Sequence, residues 1–237
     1  MQKLSILIPV YNEGKTIDQL LQKVVDLQLY GNVQKEIVVV NDCSKDNTDQ
    51  AIKSFLTTLN GVDIRYFSQE VNKGKGAAIH RAMDEATGDH VVMQDADLEL
   101  NPEDINALLK EKIDNQRLVV YGSRFLEQKH ENTNFIWHIM GNGFLTKMSN
   151  LFSGQKLTDM MTCYKMLPTD LMRSLKLKEQ RFGFEPEITV KLGKVKGMKI
   201  VEVPISYSAR TKEEGKKISW KDGMRAIWCI VKYRVRN

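Results

Sequence analysis

Through the first 125 residues, short apolar runs alternate with helical periodicities. Strand-like runs fall at 4–10, 36–40, 63–68, 90–94 and 118–122, and helical patterns lie between them at about 16–29, 47–59, 76–86 and 102–112. Strands alternating with helices predict an α/β fold with a mostly parallel, doubly wound sheet. The unbroken apolar stretch Ile37-Val38-Val39-Val40 fits a strand covered on both faces. In such sheets ligands bind beyond the carboxyl ends of the strands, so the polar residues there are the ones to weigh.

The second half is less regular. A helix is expected over 135–152, with Trp137, Met140, Phe144, Met148, Leu151 and Phe152 on one stripe. A strand-like run at 162–167, a turn and helix at 183–196, and a strand at 199–203 follow. The stretch 210–217 is charged and has no apolar residue, which predicts a mobile loop. In the last segment Trp220, Met224, Ile227, Trp228, Val231 and Val235 fall on one helical stripe, with Lys221, Arg225, Lys232 and Arg236 on an adjoining face and Arg234 near it. Such a stripe either packs on the domain core or lies in a membrane interface. There is no internal repeat.

Composition narrows this picture modestly. The chain has 237 residues, 42% hydrophobic and 27% charged, as in an ordinary soluble domain. Cys43, Cys163 and Cys229 are widely spaced, so neither a disulfide framework nor a zinc site is expected, and a reducing cytoplasm is the simplest compartment. No run approaches the length of a transmembrane helix, and the first strand begins too soon for a signal peptide. The net charge of +5 is local: residues 210–237 carry nine Lys/Arg against three Asp/Glu. An anionic partner at that end is implied. The aromatics there lie on the apolar stripe rather than interleaved for base stacking, so the expected partner is a membrane surface and not nucleic acid.

The polar strand ends form a set. The first strand ends in Pro9-Val10-Tyr11-Asn12-Glu13, the second in Asn41-Asp42-Cys43-Ser44, and the third leads to Asn72-Lys73-Gly74-Lys75-Gly76. The fourth ends in Asp95-Ala96-Asp97 and the fifth in Gly122-Ser123-Arg124. A tyrosine can stack on a base, a carboxylate can accept its N–H groups, and Gly-Lys repeats suit phosphate. Two carboxylates two residues apart suit a hard divalent cation that grips a diphosphate. Each item has a plainer reading: Asp42 and Asp46 as helix caps, Gly74-Lys75-Gly76 as a turn, Asp95 and Asp97 as the lead into the helix start at Asn101-Pro102-Glu103-Asp104. Five at one edge favour a nucleotide-diphosphate site.

These motifs, with Gly74-Lys75-Gly76-Ala77, Asp95-Ala96-Asp97-Leu98, Gly122-Ser123-Arg124-Phe125 and Tyr207-Ser208-Ala209-Arg210, resemble those of family 2 glycosyltransferases of the GT-A fold, and within them the polyprenyl-phosphate (dolichyl-phosphate) sugar synthases. The resemblance implies that Pro9, Tyr11, Glu13, Val40 and Asp42 surround the nucleoside, with Asp42 reading the base edge. It implies that Asp95, Ala96 and Asp97 contact the donor's sugar and diphosphate, and that Asp97 and Glu99 ligate Mg²⁺ or Mn²⁺. Glu99 stands where the mannose synthases usually carry Gln. Arg124 would hold phosphate oxygens of donor or acceptor. Lys75 belongs to the same donor site, and Arg210 and Lys217 would close on the diphosphate. The arginine that follows the tryptophan of the 135–152 helix in those synthases is absent here; His138, Asn142 or Lys147 stands near its place.

The expected reaction is attack of a lipid phosphate on the anomeric carbon of a UDP- or GDP-linked sugar, with inversion. A phosphate acceptor needs little general-base help; a hydroxyl acceptor requires a base. Asp159 is the candidate base, or else it orients a backbone turn or Arg124. The alternative is a family 2 enzyme acting on a glycan hydroxyl in cell-surface polysaccharide synthesis. The expected organisation is a GT-A domain over residues 1–218 and a basic amphipathic helix over 219–237. Within the domain, 1–125 form a nucleotide-binding half and 126–218 an acceptor half with a basic loop at 208–218. The expected location is cytoplasmic, peripheral on the inner face of the membrane, with a membrane-spanning docking partner also compatible.

Overall fold

The computed structural model describes residues 1–59, 61–113, 115, 117–127, 133–209 and 220–236, with the backbone alone over 133–140. The side chains of Trp137, His138 and Met140, and all of Arg210 and Lys217, lie outside the described residues. The first apolar run becomes β1 (Lys3–Val10), followed by α1 (Ile17–Asp26), β2 (Gln34–Asn41), α2 (Thr48–Thr57), β3 (Ile64–Ser68), α3 (Lys75–Glu85) and β4 (His90–Met93). A 3-10 turn at Pro102–Asp104 leads into α4 (Ile105–Ile113) and then β5 (Val119–Ser123). Asn101 opens that turn by accepting Glu103 N at 3.3 Å, as the Asn-Pro start suggested.

The second half continues as α5 (Thr133–Ser153), β6 (Lys165–Pro168), α6 (Thr169–Ser174), α7 (Phe184–Gly193), β7 (Ile200–Pro204) and α8 (Trp220–Val235). The strand expected at 162–167 is shorter and later. Helix α6, only six residues long, is too brief to show a period in the sequence.

Among the described residues, seven strands form one sheet in the order β3-β2-β1-β4-β6-β5-β7. β6 runs antiparallel to both neighbours, and the other pairings are parallel. Seven consecutive residues of β1 and six of β2 are buried. Side chains alternate between faces, so both faces of these strands are covered. No described helix is long and apolar enough to cross a membrane.

Helix α8 joins this core instead of standing apart from it. Ala226, Cys229, Ile230 and Tyr233 are buried, one stripe at the helical spacing. It is a different stripe from the tryptophan-bearing one read from the sequence. Trp220, Met224, Trp228, Val231 and Val235 face outward, Trp220 being 76% exposed. Glu179, a buried carboxylate in the segment before α7, ties α8 to the core. It accepts from Arg225 Nη2 at 2.7 Å, Lys232 Nζ at 2.9 Å and Tyr233 Oη at 2.8 Å. These three polar contacts add to the apolar contacts of the buried stripe. Helix α5 divides its expected stripe: Met148 and Phe152 pack on the core, whereas Phe144 and Leu151 are exposed.

Candidate active site

Register brings the strand ends to one edge. Val10 pairs with Asn41, Asn41 with Ser68, and Leu7 with Met93. Beyond that edge opens a cleft of about 790 Å³. The turns after β1 and β2 each carry a left-handed residue, Asn12 (φ 50°) and Cys43 (φ 58°). Asparagine tolerates this conformation better than most residues, and the Asn12 side chain accepts Lys45 N from the second turn at 2.8 Å. Asn12 N donates to Ser44 Oγ at 2.9 Å, stitching the two turns together.

Pro9, Tyr11, Glu13 and Asp42 line the nucleoside end expected from the sequence. Val40 does not: it is fully buried in the core, one residue short of the strand end. Asp42 is held in a specific way. Its carboxylate accepts Gln69 Nε2 at 3.1 Å, Asn72 Nδ2 at 2.8 Å, Lys73 N at 2.8 Å and Gly74 N at 2.7 Å. The carboxylate expected at a base edge therefore also organises the loop entering α3. Gly74 (φ 103°) is in a backbone region closed to most side chains, and a Cβ on Gly76 would sit 2.3 Å from the Glu179 carbonyl. Ala77 N donates to Gln180 O at 2.8 Å across this contact. The two glycines thus admit the 179–181 segment against the start of α3, a reason the sequence did not reveal.

Lys75, Asp95, Ala96, Asp97 and Glu99 line the middle of the cleft. Lys75 Nζ lies 2.7 Å from Asp95 Oδ1 and 3.2 Å from Glu185 Oε1. Burial works against charging either partner, but their attraction prevails: the Lys75 pKa is raised and that of Asp95 lowered. Tyr207 donates to Glu99 Oε2 at 3.0 Å, and burial, then Glu99, pushes its phenol pKa up. Ser208 N donates to Glu99 O at 2.9 Å. The chain therefore enters the 210–219 segment directly beside Glu99.

Arg124 borders the cleft, with Asp159 behind it. Arg124 Nε and Nη2 reach Asp159 Oδ2 and Oδ1 at 2.7 and 2.8 Å, and Asn142 Nδ2 donates to Oδ1 at 2.9 Å. Asp159 is wholly buried; burial opposes its charge, but Arg124 and Asn142 keep its pKa low. Asn142 faces the cleft and this carboxylate together, near the place of the absent arginine.

Asp97 and Glu99 offer oxygen ligands alone, the donor set of a hard cation. No group of three or more His, Cys, Asp or Glu gathers as a metal cage among the described residues. A divalent ion here would complete its shell from substrate oxygens and water, the usual habit of Mg²⁺. The residues fit such an ion.

Part of the cleft lining is apolar: Phe125, Leu145, Met161, Phe182 and Trp220. Trp220 belongs at once to the cleft wall and to the exposed face of α8. Glu185, Phe182 and Tyr207 come from the second half of the chain, and of these only Tyr207 lies in a motif the sequence displayed. Glu185 had no signal beyond an acidic residue at a helix start.

The glycosyl transferase family 2 profile matches residues 5–175. The chain is 31% identical over 216 residues to a dolichol-phosphate mannosyltransferase from Pyrococcus furiosus, covering 90% of this chain and 59% of that one. It is 29% identical over 220 residues to a dolichyl-phosphate beta-glucosyltransferase from Trichomonas vaginalis, covering 86% and 65%. The chain thus spans less than two thirds of these relatives' length. In three dimensions it is similar to glucosyl-3-phosphoglycerate synthase from Mycobacterium tuberculosis, solved with Mn²⁺, UDP and phosphoglyceric acid. That match has a TM-score of 0.69 and 16% identity, and covers 98% of this chain and 78% of that one.

Proposed function

The chain belongs to glycosyl transferase family 2, and on that premise we propose that it moves a sugar from a nucleotide-sugar to a polyprenyl phosphate at a membrane surface. The observation that carries the acceptor class is Trp220, shared by the cleft wall and the exposed apolar face of α8. A lipid acceptor can reach the cleft from a bilayer without crossing water. Exposed tryptophans on a segment that also carries exposed Lys221, Arg234 and Arg236 suit an anionic interface. Arg225 and Lys232 contribute less, because Glu179 holds both.

Pro9, Tyr11 and Glu13 hold the nucleoside, and Lys75 and Asp95 face the sugar. Asp97 and Glu99 would hold Mg²⁺ or Mn²⁺, which when bound neutralises charge on a diphosphate. Arg124 binds the acceptor phosphate, and Asp159 fixes the arginine's orientation. An oxygen of that phosphate forms the bond to the anomeric carbon as the bond to the nucleoside diphosphate breaks, and the diphosphate leaves with the electron pair. Arg210 and Lys217, outside the described residues, stabilise it as it departs. The commitment of Asp159 to Arg124 favours an acceptor already ionised over a hydroxyl that needs a base.

The test incubates the full chain with anionic vesicles containing polyprenyl phosphate, Mn²⁺ and labelled UDP-glucose, UDP-N-acetylglucosamine or GDP-mannose. Label in an organic-extractable, mild-acid-labile lipid is the expected result. Label found only in free sugar or in a water-soluble glycan would refute the acceptor assignment.

A further inference from the structure

A ladder of alternating charges runs from the core to the floor of the cleft. Lys165, inside β6, reaches Glu185 Oε2 at 2.7 Å; Glu185 Oε1 meets Lys75 at 3.2 Å; Lys75 meets Asp95 at 2.7 Å. Side-chain exposure rises along it from 0% at Lys165 through 3% at Glu185 and 18% at Lys75 to 27% at Asp95. Its rungs therefore pass from a wholly interior anchor to groups that meet a ligand. Lys165 is fixed further by the carbonyls of Met160 and Thr162. Glu185, Lys75 and Asp95 all border the cleft; Lys165 does not.

Local structure explains why the ladder needs its middle rung. Lys75 occupies the first turn of α3, where the helix dipole disfavours a positive charge. Glu185 occupies the first turn of α7, where the dipole favours a negative one. Two carboxylates hold the lysine in place against its own helix. The four groups sum to zero charge, so the ladder adds no net attraction for an anionic diphosphate. What it offers is a fixed arrangement of donors and acceptors, the pattern that discriminates among hydroxyls.

We propose that Glu185 is a positioning residue for the sugar end of the donor: anchored by Lys165, it fixes Lys75 and through it the Asp95 carboxylate that faces the hexose. This rests on the reading of the cleft as a nucleotide-sugar site. Removing Glu185 alone strands Lys165 in the core and risks unfolding. The informative variant is therefore the charge-compensated pair E185Q/K165M, with E185D as the conservative control.

Wild type and variants are titrated calorimetrically with UDP, GDP, UDP-glucose, UDP-N-acetylglucosamine and GDP-mannose in the presence of Mn²⁺. The double variant is expected to bind the preferred bare nucleoside diphosphate within about twofold of wild type, but the matching nucleotide sugar about tenfold more weakly. Preference among sugars on that nucleotide should narrow by a similar factor, and E185D should restore part of it. A folded double variant with unchanged affinity and unchanged sugar preference overturns the proposal. Equal losses for nucleoside diphosphate and nucleotide sugar also overturn it, since that marks a merely structural role. A wild-type protein that binds no nucleoside diphosphate removes the donor reading itself, and the proposal with it.

Discussion

Arg124 and Asp159 meet through two parallel hydrogen bonds, at 2.7 and 2.8 Å, with the carboxylate wholly buried and the arginine at the cleft wall. The pair fixes a planar donor for phosphate. Replacing Asp159 by Asn keeps the shape and removes the charge. The expected outcome is a loss of about 10- to 100-fold in kcat/KM, carried mainly by the KM for the lipid phosphate. The pH–rate profile should keep its acid limb. Disappearance of that limb with unchanged acceptor KM would instead mark Asp159 as a base.

Asp95 and Asp97 should separate under mutation. D97A is expected to cost at least about 100-fold in turnover, because charge stabilisation by a bound cation is worth several kcal/mol. Chelation with EDTA should abolish wild-type turnover and Mn²⁺ should restore it. D95N is expected to retain Mn²⁺-dependent nucleoside diphosphate binding while losing transfer. Near-normal turnover in both variants would sink the proposed mechanism.

The outward face of α8 is testable without disturbing the core, since Met224 and Trp228 are exposed. M224E/W228E should leave the thermal midpoint within a few degrees of wild type. Co-sedimentation with anionic vesicles should fall about tenfold or more, as each apolar side chain withdrawn from the interface forfeits roughly 1.5–3 kcal/mol at full burial. Unchanged vesicle binding would leave this face without a role at the membrane.

Two buried carboxylates predict how stability responds to acid. Burial raises the pKa of Glu36, but Ser5, Thr87 and Arg65 outweigh it and bring the value to about 2 from a usual 4.5. Lys232, Arg225 and Tyr233 bring Glu179 to about 2 likewise, again against burial. Both groups bind protons more readily unfolded than folded, so their contribution is complete above about pH 4.5 and fades as pH falls towards 2. The thermal midpoint should be nearly level from pH 7 to 5 and drop below that. E179Q should reduce the acid slope and expose α8 to limited proteolysis at neutral pH. An acid slope equal to wild type in E179Q would contradict this account.

The sheet was largely legible because β1, β4 and the end of β2 are nearly unbroken apolar runs and the helices between them, such as α1, carry one apolar face. Asp95, Asp97 and Arg124 announced themselves by standing where apolar strands stop. Position-by-position patterns are silent where a distant partner contributes. Arg225, Lys232 and Tyr233 of α8 bond Glu179, about forty residues before the helix begins. The resemblance implied Val40 as a nucleoside contact, yet it lies in a strand buried on both faces and does not line the cleft. Glu185 could not be found at all from the sequence, because its significance lies in two lysines, Lys75 and Lys165, that only the sheet brings within reach.

The reversed strand β6 also bears on how the molecule assembles. It lies between β4 and β5, although the chain makes β5 first and 41 residues separate the end of β5 from the start of β6. Strands β1 to β4 can zip together as a contiguous unit as soon as they exist. β5 has no partner waiting and must be held near an open slot until β6 arrives. Closing such long loops before contacts reward them is slow. A two-phase refolding reaction is the expected signature, with an early phase reporting the nucleotide-side strands and a late one the docking of β6 and, with it, the lysine that anchors the floor of the cleft.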